Sequence, residues 1–265
     1  MCHKRLSNQA GECNLDRSEL RQTLALVKCK EIHTASETSR TGVIITNNFV
    51  LTASVLPEDD VSCVITYNIN GEGGEQTAES SSIRSYAMDS NINPHVLPQL
   101  QLLGLNAPIN FELPGPNITL AKTIKLAKQS PEIDDNVLLH TIRKRGNKYD
   151  VVQMEVNFAS RNDCKKENLR LHPYVFCITI AKKECDGCNN VMAGSALVQN
   201  NELIGIVSER VTCDPSKRIL CADVYEVRNW IKSTVGIRET REWSLIYRLP
   251  LAISALMDFL IGTRL

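Results

Sequence analysis

The sequence predicts an all-β protein with a helix near its C-terminus and an apolar C-terminal tail. Short runs of β-branched and aliphatic residues recur along the chain, the pattern of strands. Clusters of Gly, Ser, Asn and Pro separate them. Near the end, Val227, Trp230 and Ile231 fall at i, i+3 and i+4, on one helical face. With 265 residues, 43% of them hydrophobic, the chain has material for one large all-β domain or two small ones.

Taken in order, residues 1–23 are polar and read as a leader. Leu24-Ala25-Leu26-Val27-Lys28-Cys29 is the first expected strand. Thr41–Ile45 and Phe49–Ala53 follow, joined by the turn-forming pair Asn47-Asn48. Val61–Tyr67 is the next. Residues 68–94 read as a loop, on the strength of Asn68-Ile69-Asn70-Gly71-Glu72-Gly73-Gly74-Glu75. Leu100–Leu105 is another apolar run. Residues 106–136 carry Pro108, Pro114, Gly115, Pro116 and Pro131 without helical periodicity, and read as the connection between two halves. Within it Asn117-Ile118-Thr119 is an N-glycosylation sequon.

Lysine plus arginine total 30 and aspartate plus glutamate total 30, so global charge gives no footprint for phosphate neutralisation. Aromatic residues make up only 5%, which also disfavours recognition by base stacking. Nucleic acid is therefore not an expected partner. Ten cysteines point to an oxidising compartment, although no apolar signal segment is visible in the first ten residues.

Val191-Met192-Ala193-Gly194-Ser195-Ala196-Leu197-Val198, followed by Leu203-Ile204-Gly205-Ile206-Val207-Ser208, resembles the nucleophile loop and hairpin of the trypsin/chymotrypsin family, G-D-S-G-G-P-[LV]-V then L-x-G-I-V-S. Residues 40–56 resemble the family's C-G-G-S-L-I…W-V-[VL]-T-A-A-H-C region without gaps. Gln99 to Leu105 resembles D-I-A-L-L-x-L. Val151–Cys164 resembles L-Q-x-V-x-V-P-x-V-S-x-x-x-C, Tyr174–Cys177 the strand that follows, and Ala222–Ile231 resembles P-G-V-Y-x-x-V-x-x-W-I. The resemblance implies two antiparallel β-barrels of trypsin type, about 24–109 and 137–235, within a domain spanning 24–235, and leaves 236–265 as an extension.

The resemblance also implies what is missing. The histidine position holds Val55, the aspartate position Gln99 and the serine position Ala193, so nucleophile, base and orienting acid are all absent. Met192 stands at the buried aspartate that would pair with a freed N-terminal amine, and no activation sequence precedes Leu24. Arg40 and Leu56 replace both ends of one family bridge, and Gln199 one end of another whose partner would fall near Val137–His140. Ser195 sits at a family glycine. The histidines His3, His33, His95, His140 and His172 match no motif and read as surface or loop residues. At the specificity pocket Asp186 matches a trypsin-like aspartate, while Ser208-Glu209-Arg210 forms the wall and Asp223 replaces a glycine. Arg210 paired with Asp186 or Asp223 gives a blocked pocket; the alternative is a pocket still open to a cationic group.

For the cysteines, the resemblance implies Cys164–Cys177 and Cys188–Cys213, and makes a Cys29–Cys63 bridge geometrically feasible beside the reading of two buried thiols. Cys185-Asp186-Gly187-Cys188 also admits a zinc half-site, with Cys213 and Cys221 as the other half. Seven residues separate that second pair, an unusual spacing, so an added Cys185–Cys221 disulfide is preferred and no metal or cofactor is expected. Cys2 and Cys13 stay unassigned. In the tail, residues 245–262 are apolar, but the uncharged run from Leu249 to Met257 is only nine residues, short of the ~20 that a spanning helix needs. An amphipathic helix on the body, a partner or a membrane surface fits better. The overall expectation is a non-catalytic serine protease homologue, of the kind secreted by many animals and insects especially. It would serve as a cofactor, decoy or ligand for an unidentified protein partner, as in immune or reproductive processes. The alternatives are a membrane-associated protein held by its tail, or a residual hydrolase with an unrecognised nucleophile.

Overall fold

A computed structural model describes residues 19–33, 36–53, 61–71, 73–86, 99–112, 119–131, 136–165, 171–180, 190–209, 211–212 and 217–236. The elements are β1 (Leu24–Glu31), β2 (Glu37–Thr46), β3 (Phe49–Ala53), β4 (Val61–Tyr67), β5 (Gln76–Ser85), β6 (Leu100–Leu105), β7 (Lys125–Leu126), β8 (Val137–Arg145), β9 (Lys148–Phe158), α1 (Arg161–Lys165), β10 (Val175–Ile180), β11 (Asn190–Val191), β12 (Ala196–Gln199), β13 (Glu202–Val207), β14 (Val211–Thr212), β15 (Ile219–Asp223) and α2 (Val224–Val235). Two antiparallel barrels result. The first closes in the order β1-β2-β3-β6-β5-β4. The second runs β12-β8-β9-β10-β15-β13 and closes through β12–β13 pairing, with β7 added alongside β13 in parallel.

Each barrel fills its own interior. Val27, Ile44, Val50, Ile65 and Leu103 pack inside the first, and Leu139, Met154, Ile178, Ile204 and Ile219 inside the second. A third cluster joins them: Leu24, Leu51, Leu100 and Leu102 of the first barrel meet Val198, Ile206, Val224 and Val227 of the second barrel and its helix. Met192 and Ala193 belong to this seam cluster. The helix buries Val224, Val227 and Ile231, while Trp230 packs at the edge with its ring 5.2 Å from that of Tyr86.

Two expectations need correction, and a third segment proves more buried than its composition suggests. Residues 76–85 form a ten-residue strand, not a loop. Only Ala78 and Ile83 of β5 are buried apolar residues, and a register shift between Ser80 and Ser82 breaks the alternation. Its neighbours β4 and β6 impose the strand by pairing, and its own hydrophobicity gives little signal. The leader's last residues are also structured: Glu19–Thr23 form a 3-10 turn that buries Thr23, and Gln22 Nε2 donates to the Thr119 carbonyl at 2.8 Å. Finally, the interbarrel connection buries Ile109, Leu120, Ala121 and Ile124.

Among the described residues two disulfides reinforce this frame. Cys29 and Cys63 are bonded and sit directly opposite each other on β1 and β4, the pair of strands that closes the first barrel. Cys164 and Cys177 are bonded and fasten α1 to β10. Ser160 starts α1, its Oγ accepting from Asp163 N–H at 3.1 Å and donating to Asp163 Oδ2 at 2.7 Å. The β12–β13 hairpin turns on Asn200 and Asn201, both with positive φ (51° and 61°), as a two-residue turn of primed type requires.

Candidate functional site

The loop from Val191 to Ser195 lies at the seam and is held from both barrels. Thr41 N–H on β2 donates to the Ala193 carbonyl at 2.9 Å. Gly194 N–H donates to Val207 O at 2.8 Å, and Val207 N–H to Ser195 O at 2.9 Å, so β13 supports the loop from the other side. Thr141 Oγ1 on β8 accepts from Met192 N–H at 3.2 Å. Thr41 itself is fixed, because its carbonyl accepts from Thr52 Oγ1 at 2.7 Å and its hydroxyl from Ile142 N–H at 3.2 Å. Thr41, Thr52 and Thr141 thus form a polar clasp inside an apolar seam, and each of them is at most 1% exposed.

Gly194 makes the turn. Its φ is +82°, and a Cβ there would lie 1.9 Å from Thr41 O and 2.6 Å from Thr52 Oγ1. Only a residue without a side chain fits. Ala193 presents a methyl group that is 5% exposed, and a methyl group has no lone pair with which to attack a carbonyl. Met192 packs its thioether in the seam cluster where the resemblance places a carboxylate, so the position needs no cationic partner.

The neighbouring Ser195 hydroxyl is engaged inside the protein. It is fully buried, and Oγ is hydrogen-bonded to Thr141 Oγ1 at 2.6 Å and to the Met192 carbonyl at 2.5 Å. Both contacts are internal to the clasp. Gln99 stands half-buried immediately before β6, with a neutral carboxamide that cannot stabilise an imidazolium. Val55, Asp186, Arg210, Asn117, Cys185, Cys188 and Cys213 lie outside the described residues, as do Cys2, Cys13 and the tail segment 245–262.

Several expected site residues take other roles. Asp223 caps α2: its Oδ1 accepts from Tyr225 N–H at 2.9 Å, and its own N–H donates to Tyr174 O at 2.8 Å. Burial pushes its carboxyl up to about 6, against the lowering effect of the helix N–H groups. Cys221 corrects the expected Cys185–Cys221 bridge, being a free thiol. The strand alternation of β15 turns it into the second barrel's core, fully buried, where desolvation raises its pKa. His140 is not a surface residue but lies 1% exposed on β8. Arg40 fills the space of a family cysteine with a guanidinium that is buried, donates to the Ala53 carbonyl at 3.1 Å, and is brought down to about 10 by desolvation. That hydrogen bond ties β2 to the end of β3. Sequence reasoning missed the threonine clasp, because a threonine in a strand gives no pattern until its hydroxyl has a partner.

The Asp223 cap makes a pH-dependent prediction. A carboxyl raised in the folded state binds its proton more readily there than in the unfolded chain, so its contribution to stability is full below about pH 4. That contribution is lost as pH rises through about 6. Asp223→Asn keeps the capping oxygen without the charge. Urea unfolding of both proteins from pH 4 to 7.5 is expected to show the Asn variant gaining on the parent by on the order of 1–3 kcal/mol as pH rises. A constant difference across that range would contradict the assignment.

Two closed antiparallel barrels, a seam loop turning on a left-handed glycine and a C-terminal helix define a trypsin-type fold. Residues 30–231 match the Trypsin family model, and the chain belongs to that family. Among solved structures it is similar to mouse brain neuropsin, a serine protease, with a TM-score of 0.64 and 18% identity over 84% of this chain and 99% of that one. It is likewise similar to two scabies mite inactivated protease paralogues. S-I1 has a TM-score of 0.63 and 16% identity, covering 83% of this chain and 99% of that one. S-D1 has a TM-score of 0.62 and 19% identity, covering 86% and 97%. At such identities the likeness establishes the fold. A sequence search of curated proteins gave no match.

Proposed function

We propose that this chain is a serine protease homologue without catalysis, acting as an extracellular binding or regulatory module for a protein partner. One observation carries the reading: the nucleophile position holds Ala193, and the neighbouring Ser195 hydroxyl is buried in the threonine clasp. The replacement of histidine by Val55 and of aspartate by Gln99 supports it. So does Met192 in the apolar seam, which makes the loop independent of a charge pair formed on activation. Two of the similar structures belong to proteins described as inactivated protease paralogues, a precedent for the fold without the activity. Secretion is the compartment that suits ten cysteines and a bridged first barrel.

Hydrolysis of a broad fluorogenic peptide panel tests the reading. The purified chain is expected to give no turnover above buffer, and Ser195→Ala to change nothing. Turnover that co-purifies with the chain and disappears in Ser195→Ala would restore the hydrolase alternative.

A further inference from the structure

We infer that the cleft where the first barrel meets the β8–β9 hairpin is a docking site for an acidic segment of a protein partner. The cleft has a volume of about 380 Å³ and is lined by Lys28, Asn70, Glu75, Asn147, Lys148 and Tyr149, with Leu26 beneath them. Its walls come from both barrels: Lys28 from β1, Asn70 and Glu75 from the β4–β5 connection, and the others from the β8–β9 turn and the start of β9.

The cleft is built before any ligand arrives. Asn70, with φ of 53°, donates through Nδ2 to the Tyr149 carbonyl at 2.6 Å and to Asp150 Oδ1 at 3.1 Å, linking the two walls. Lys28 Nζ sits 5.0 Å from the centre of the Tyr149 ring. The Asp150 carboxylate lies 3.9 Å from Arg143 and 4.0 Å from Arg145, so its charge is already opposed.

What is left is a local excess of positive charge on a chain whose net charge is zero. The lining itself carries Lys28 and Lys148 against Glu75 alone, while Arg143 and Arg145 are engaged with Asp150. Among the described residues neither Lys28 nor Lys148 has a carboxylate partner. An incoming carboxylate therefore meets two ammonium groups without displacing an existing ion pair. The half-buried Tyr149 ring offers apolar surface to the methylene groups of a glutamate, and the exposed Asn147 amide offers hydrogen bonds to a peptide. The Asn147 amide and the Tyr149 ring match the backbone and apolar groups that an acidic peptide carries and a sulfated polysaccharide lacks, which favours the peptide. The site shares no residue with the Ala193 loop, and it stands whether or not the chain hydrolyses peptides.

Fluorescence anisotropy of the full chain with a labelled Glu-Glu-Phe-Glu-Glu peptide tests this, beside the Gln-for-Glu peptide and a heparin octasaccharide. The acidic peptide is expected to bind about tenfold or more tightly than the neutral one at low salt, and to weaken as salt screens the charges. Lys148→Gln, at the exposed start of β9, is expected to weaken binding at least about threefold with an unchanged melting temperature, and Lys28→Gln with Lys148→Gln to remove the preference for Glu over Gln. Equal affinity for the two peptides, unchanged binding by Lys148→Gln, or binding of the octasaccharide without the peptide would each overturn the proposal.

Discussion

Gly194→Ala is expected to destabilise the protein by about 4 kcal/mol, combining ~1–2 kcal/mol for a left-handed alanine with a few more for moving backbone out of a clash. The clash is unusually hard, because the nearest atom to the new Cβ is the Thr41 carbonyl oxygen at 1.9 Å and not the end of a flexible side chain. Relieving it means separating β2 from the seam loop, and that breaks the Thr41–Ala193 hydrogen bond as well. For a domain of this size such a loss lowers the melting temperature by about 10 °C. Gly146→Ala is the matched control, since its φ is also positive, at +60°, but nothing lies within 4 Å of its added Cβ. It should cost only about 1 kcal/mol. Equal effects at the two glycines would mean that the seam loop is not clasped as described.

Removing the Cys29–Cys63 bridge by substituting both cysteines with alanine is the second large effect. The cysteines are 34 residues apart, and closing a loop of that length stabilises by about 4 kcal/mol in the chain-entropy account. The bridge also lies on the strand pair that turns a six-stranded sheet into a barrel, so its loss exposes the seam where that barrel opens. The Cys164–Cys177 bridge spans 13 residues and joins a five-residue helix to β10, and its removal should cost about 3 kcal/mol. Denaturant unfolding of both double variants should therefore rank the first below the second. Parent stability retained without Cys29 and Cys63 would show that β1–β4 pairing closes the barrel unaided.

Much of the fold was legible in the residues. β3, β4 and β6 carry their own apolar β-formers and fall where the sequence places them. β5 was illegible because its register comes from β4 and β6, and its own serines and glutamate read as a loop. At residue 193 the sequence alone carries the chemical argument, since alanine lacks a nucleophile in any conformation. The site was not legible where a role depends on partners. Asp223 reads as a pocket charge until the helix N–H groups above it are placed, and Cys221 reads as half of a bridge until β15 turns it inward. The buried Arg40 was visible as a lost cysteine, but its hydrogen bond to Ala53 O depends on the approach of β2 to β3.

The reading of a protease scaffold kept without its chemistry rests on the Ala193 loop, and a covalent serine-hydrolase probe addresses that loop most directly. Incubation of the native chain with a fluorophosphonate, followed by mass spectrometry, is expected to show no adduct beyond that of the heat-denatured protein. A stoichiometric adduct confined to the native fold, mapped to any serine or threonine of the chain, would contradict the account.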